Sequence, residues 1–172
     1  VGGDGLLNVQ VTIRSCAFRY NRSTILTLAG VVSPVVENCL FVSNQSCNDR
    51  VIRHEAGQGR IEDCYFRDNE GTVLSVFNGG PTTIRNCDFA SNRSNPVLFL
   101  RNSKSVIGCT FNTNQPLNGG DGVSIEVYGG KPQIAACDFV SNVGQGRAAA
   151  VKVVSYGSGA PAVPYIHGCT FR

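Results

Sequence analysis

A nine-residue phrase returns along this chain, and that recurrence restricts the fold more than any other feature. Its copies are IRSCAFRYN (Ile13 to Asn21), VENCLFVSN (Val36 to Asn44), IEDCYFRDN (Ile61 to Asn69), IRNCDFASN (Ile84 to Asn92), VIGCTFNTN (Val106 to Asn114) and IAACDFVSN (Ile134 to Asn142), with a shortened IHGCTF at Ile166 to Phe171. Each copy reads Ile or Val, Cys three later, Phe two after that and, in all but the last, Asn three further on. Of the eight cysteines, only Cys47 lies outside this register. The repeat cysteines follow one another at intervals of 22 to 32 residues, the signature of a stacked array.

Period-2 alternation puts the Cys and Phe of each copy on one side of an extended strand. A second apolar run lies between successive copies: Leu26/Leu28, Ile52/His54, Leu74/Val76, Leu98/Leu100, Ile125/Val127 and Val151/Val153. Thr27, Arg53, Ser75, Phe99, Glu126 and Lys152 then face outward. A third short extended piece leads into each Ile, as in Val11-Thr12-Ile13. Gly- and Pro-rich turns such as Gly79-Gly80-Pro81 separate the pieces, and no stretch carries a helical period. Such a unit cannot bury its apolar face alone, but copies stacked on one another can. The spacing therefore predicts one all-β domain over residues 1–172: a parallel β-helix of about seven turns, three short strands per turn. At one strand spacing per turn the coil would rise roughly 34 Å.

The pattern resembles the right-handed parallel β-helix repeats of the pectate-lyase-like superfamily. The F-x-x-N element, Phe18-Arg19-Tyr20-Asn21 and its copies, is also similar to the repeats of polymorphic outer-membrane adhesins. The resemblance covers essentially the whole chain. It implies a fold and leaves function open, because that superfamily holds lyases, hydrolases, adhesins and inert shafts.

Cys16, Cys39, Cys64, Cys87, Cys109, Cys137 and Cys169 read as stacked free thiols in preference to half-cystines. Residues in register on parallel strands stand about 4.8 Å apart, whereas disulfide Cβ atoms need about 3.8 Å and a strong twist. Cys47, in the loop Gln45 to Arg50, is a free surface thiol or the partner of a neighbour such as Cys39. Asn21, Asn44, Asn69, Asn92, Asn114 and Asn142 fall just past strand ends, where Asn can bond neighbouring backbone. They read as a ladder at one bend. Asn21, Asn44 and Asn92 are also glycosylation sequons, and at each site an inward ladder amide excludes a glycan. His54 falls on an inward position, as a buried hydrogen-bonded imidazole in preference to a catalytic base; His167 faces solvent.

The candidate binding patch is the column two residues before each Cys: Arg14, Glu37, Glu62 and Arg85, with Asp63, Asp68 and Asp88 nearby. Paired carboxylates could hold Ca²⁺ or sugar, but alternation with Arg reads first as an ion-pair ladder. No catalytic residue, metal site or cofactor is assigned: there is no Cys-x-x-Cys or Cys/His cluster, and Gly119-Gly120-Asp121-Gly122 is too isolated for a Ca²⁺ roll. The insertions Gln45 to Arg50, Gln115 to Gly122 and Val143 to Arg147, with the connector Tyr156 to Pro164, mark a contact face.

The 15 Lys and Arg against 12 Asp and Glu give a net charge of +3, which offers nucleic acid no broad basic field. No apolar run reaches the length of a membrane span. Neither end carries a cap, and the last copy stops two residues short of its Asn. The expectation is an extracellular, cell-surface structural or adhesive module, part of a longer solenoid or a filament subunit that stacks end to end. The alternative is a polysaccharide-active β-helix enzyme or a carbohydrate-binding module.

Overall fold

The computed structural model of the chain describes residues 10–29, 33–55, 58–77, 80–102, 104–118, 121–145, 148–155 and 161–172, apart from the side chains of 46–49. Three parallel sheets run along one coil, and the chain visits each in turn. The first sheet stacks Thr12–Arg14, Val35–Glu37, Gly59–Glu62, Thr82–Arg85, Ser105–Ile107, Gln133–Ala135 and Tyr165–His167. The second stacks Ala17–Arg19, Leu40–Val42, Tyr65–Arg67, Asp88–Ala90, Thr110–Asn112, Asp138–Val140 and Thr170–Phe171. The third runs through Leu26–Leu28, Gln45–His54, Glu70–Val76, Leu98–Arg101, Ile125–Tyr128 and Val151–Val154, with short flanking strands at Arg93–Ser94 and Gln115–Pro116. No helix occurs among the described residues.

Most strands of the first two sheets are three residues long for a physical reason. A single inward side chain, Ile or Phe, is flanked by two outward ones before the chain bends. Cys and Phe, two apart, both face inward as alternation predicts, and the bend falls just before the Cys. The residue before each Cys takes the left-handed conformation: Ser15, Asn38, Asp63, Asn86, Gly108, Ala136 and Gly168, with φ between 50° and 63°. The residue before each ladder Asn does the same at the second corner: Tyr20, Ser43, Asp68, Ser91, Thr113 and Ser141, φ 51° to 57°. That conformation is costly for Ala, Thr or Tyr. It is held because the corner N–H groups still donate to the next turn, as Ala136 N to His167 O (3.1 Å) and Tyr20 N to Val42 O (3.3 Å).

The register pairs like with like. Ile13, Val36, Ile61, Ile84, Val106, Ile134 and Ile166 form one column, and the seven motif Phe another. Phe18, Phe41, Phe66, Phe89, Phe111, Phe139 and Phe171 stack with ring centroids 4.8 to 5.0 Å apart and planes within 10°. That separation is the strand spacing, so backbone hydrogen bonding and not ring contact sets it.

Seven turns is too high a count. The motif copies give seven strands in each of two sheets, but the third sheet continues through only six turns and the closing turn has two arms. About five turns are closed and covered on both sides, those carrying the buried Cys39, Cys64, Cys87, Cys109 and Cys137. A second correction concerns Gln45 to Arg50. It is not a loop but the start of a ten-residue strand, Gln45–His54, whose extra residues bulge where Gln45 pairs with Glu70 and Arg50 with Thr72. The Cys47 side chain, Val1 to Val9, Gly119-Gly120, Gly146-Arg147 and Tyr156 to Ala160 lie outside the described residues.

Each inner Asn side chain bridges three turns. Asn69 Oδ1 accepts from Asn44 N (3.0 Å) and Asn44 Nδ2 (2.9 Å), while Asn69 Nδ2 donates to Phe41 O and Asn92 Oδ1, both at 3.0 Å. Asn69→Ala is expected to destabilise by at least about 3 kcal/mol, since several buried partners lose their bonds at once. Asn21→Ala, at the exposed end of the same column, should cost under about 1 kcal/mol. Urea denaturation of both variants measures the difference. Phe89→Ala, in the middle of the ring stack, should cost about 3–5 kcal/mol in the same assay.

Candidate functional site

The outward column of the first sheet sets Arg14, Glu37, Glu62 and Arg85 on four successive turns, each in register with the next. Arg14 Nε donates to Glu37 Oε2 at 3.2 Å, and Arg60 Nε lies 4.0 Å from Glu62 Oε2. Arg85 makes no ion pair among the described residues. The two carboxylates are therefore adjacent, each with an Arg of its own. The column ends in Ile107, Ala135 and His167, so the charged patch belongs to the first half of the coil. Asp63 and Asp68 are corner residues at positive φ, and Asp63 Oδ1 accepts from Asn86 Nδ2 at 3.3 Å. Asp88 lies on the second sheet, paired with Arg67 at 2.5 Å. Among the described residues, no three His, Cys, Asp or Glu side chains converge as metal ligands.

Beside this patch runs an open groove of about 510 Å³. Its polar lining comes from Gln10, Ser33, Gln58, Arg60 and Thr83, and Pro34, Gly59 and Pro81 supply the rest of its wall. These residues enter the first sheet on four successive turns, so the groove follows the coil axis.

The cysteines sit at the corners between the first and second sheets. Cys16, Cys39, Cys64, Cys87, Cys109, Cys137 and Cys169 are free thiols, buried in the inner turns and exposed at Cys16. Each inner Sγ donates to the carbonyl two residues back and to one on the preceding turn, as Cys64 to Glu62 O (3.2 Å) and Val36 O (3.6 Å). Burial pushes the Cys39 thiol up, while contact between neighbouring thiols raises Cys87 and lowers Cys64 and Cys109. A buried protonated thiol behaves as a small hydrophobe, not a nucleophile.

The Asn side chains face inward at the second corner. Asn44 and Asn92 are fully buried, and both Nδ2 atoms donate twice: Asn44 to Phe18 O and Asn69 Oδ1, Asn92 to Phe66 O and Asn114 Oδ1. Asn21 is exposed, with Nδ2 donating to Arg19 O and Asn44 Oδ1. A glycan attaches through this nitrogen, so only the first of the three sequons leaves it accessible in the folded coil. Mass spectrometry of protein made in a glycosylating host should find Asn44 and Asn92 bare; a folded product occupied at either would contradict the ladder.

His54 is fully buried, and its pKa is lowered by burial and then by the Lys104 ammonium. The sequence reading gives it a hydrogen bond; the structure leaves Nδ1 and Nε2 unpartnered. The ring occupies space that Gly59 leaves open: a Cβ on Gly59 would lie 2.9 Å from Nε2. Gly59→Ala should therefore destabilise by about 1–3 kcal/mol, and the part of that cost due to His54, as distinct from the contact with Pro34, should vanish in a His54→Ala background, measured by a double-mutant cycle. His167 is exposed, 3.1 Å from Gln133 Nε2.

Alternation alone misses what gathers on the outside of the third sheet. Phe77, Phe99 and Tyr128 pack ring on ring at 5.3 and 4.9 Å, and the Arg50 guanidinium lies 4.6 Å over Phe77. Lys152 Nζ bridges Asp121 Oδ2 (2.6 Å) and Glu126 Oε1 (3.1 Å). Two residues on this face are buried despite pointing outward: Ser75 accepts from Arg50 Nε at 2.7 Å, and Glu126 lies against Lys152. The sequence signal was the register itself, which places Ser75, Phe99, Glu126 and Lys152 on consecutive strands.

No curated protein and no solved structure matches the chain. A family model described as a right-handed β-helix region matches residues 3–171. With parallel strands in three sheets and inward columns of Ile, Cys, Phe and Asn, that match over nearly the whole length places the chain in the right-handed β-helix family.

Proposed function

We propose that this chain is a structural or adhesive module of an extracellular shaft, filament or surface protein, in which turns continue by end-to-end stacking. The supporting observation is that the first and last described strands expose the same apolar columns. The last strands present Ile166, Phe171 and Tyr165 at 39%, 56% and 66% exposure, with Cys169 between them. The first strands offer Ile13, Cys16 and Phe18 in the same register. A second copy stacked on either face would pair equivalent columns head to tail.

Sedimentation velocity across a wide concentration range tests this. Reversible growth to elongated species, reduced by Phe171→Asp at one end and by Phe18→Asp at the other, is the expected outcome. A folded monomer at every concentration would contradict it.

A second reading, binding or cleavage of an extended polysaccharide, draws on the groove beside Glu37 and Glu62. It crosses four turns and is lined by amide, hydroxyl and guanidinium groups. Incubation with pectate and alginate decides it: product formation lost in Glu37→Gln and Glu62→Gln would favour catalysis, and retention on the polymer without product would favour binding.

A further inference from the structure

Three buried polar side chains line the inner corner where the third sheet hands over to the first. His54 ends its third-sheet strand. Gly59 and Thr82 are register partners on consecutive first-sheet strands, and Lys104 precedes Ser105, whose partner is Thr83. The His54 ring fills the space over Gly59, and the Thr82 hydroxyl belongs to the next turn. Lys104 reaches back by one turn, its Nζ donating to Gly80 O at 2.7 Å. His54, Thr82 and Lys104 are 0%, 1% and 2% exposed. Neither nitrogen of His54 nor Thr82 Oγ1 has a hydrogen-bond partner.

The buried Asn of the interior are hydrogen-bonded on both sides, so unsatisfied polar atoms here call for an occupant. An imidazole N–H, a hydroxyl and an ammonium are all donors. Lys104 is the charged group that bears on the imidazole, and it is positive. Donors around a buried positive charge favour a negative ligand over water. A monatomic anion accepts from any direction and asks for little room, which suits a corner closed by Pro34 and Gly59.

We propose that this corner is a binding site for one halide-sized inorganic anion, held by His54, Thr82 and Lys104. The anion would tie together three turns through side chains, at the inner corner opposite the one served by the Asn ladder.

Bromide is the probe. Crystals of the full chain grown in sodium bromide should show one anomalous peak within hydrogen-bond distance of His54 and Thr82. In solution, replacing sodium gluconate by sodium bromide at fixed ionic strength should raise the thermal midpoint saturably. The rise should be about 3–5 °C at tenfold the dissociation constant. Thr82→Val, which keeps the shape and loses the hydroxyl, should weaken that response, and Lys104→Met should abolish it. Ordered water without anomalous signal at the corner, or the same bromide response in wild type and both variants, would overturn the proposal.

Discussion

One distance organises this molecule: the spacing between hydrogen-bonded parallel strands, about 4.8 Å. Every turn must return to the same place one spacing higher, so a side chain meets the equivalent side chain of the turns above and below. Only residues that tolerate contact with themselves can fill such positions. Phe does so as slid parallel rings 4.8 to 5.0 Å apart. Cys does so as a small apolar group whose weak S–H donor finds a carbonyl. Asn does so best, because its amide carries both donor and acceptor and bonds to a copy of itself. Its nitrogen also satisfies a carbonyl of the turn behind, as Asn92 Nδ2 does with Phe66 O at 2.9 Å. The ladder thus stabilises a sharp corner whose preceding residue sits in a conformation most side chains avoid.

The interior is uniform, and the individuality of the chain lies on its outer faces and in its corners. On the first sheet, Glu37 and Glu62 stand side by side between Arg14 and Arg85, beside a groove along the coil axis. On the third sheet, aromatic rings from three turns lie next to a Lys152–Asp121–Glu126 bridge. These surfaces depend on the same register as the core. A residue placed outward on one turn gains neighbours only because the coil repeats, and a face of any length can be written turn by turn. At His54, Gly59 and Thr82 the interior departs from its repeating columns, and there a missing side chain on one turn makes room for a polar one from its neighbour.

Much of this was legible in the sequence. The Ile–Cys–Phe–Asn spacing carries the stacking axis, the inward columns and the parallel sheets, because a strict repeat has few ways to bury itself. The corner just before each Cys was not read from alternation, which shows that Cys and Phe share a side but not where the strand begins. The relevant sign is the residue before Cys, which is Asn, Asp or Gly in five of seven copies and so tolerates positive φ. The Gln45–His54 bulge was hidden because extra residues look like a loop when no partner strand is known. The grouping of Phe77, Phe99 and Tyr128 depends on register between turns, and so does the meeting of His54 with Lys104. Neither can be read from one turn alone.

The central claim is self-contact along the coil axis, and nuclear Overhauser contacts between specifically labelled phenylalanine rings test it most directly. Phe66 should show strong contacts to the rings of Phe41 and Phe89, whose centroids lie 4.9 and 4.8 Å away, and none to Phe111 or Phe18. A Phe66 ring without contacts to either neighbour in the column, or one touching Phe111 as closely as Phe89, would contradict the stacked register on which the coil rests.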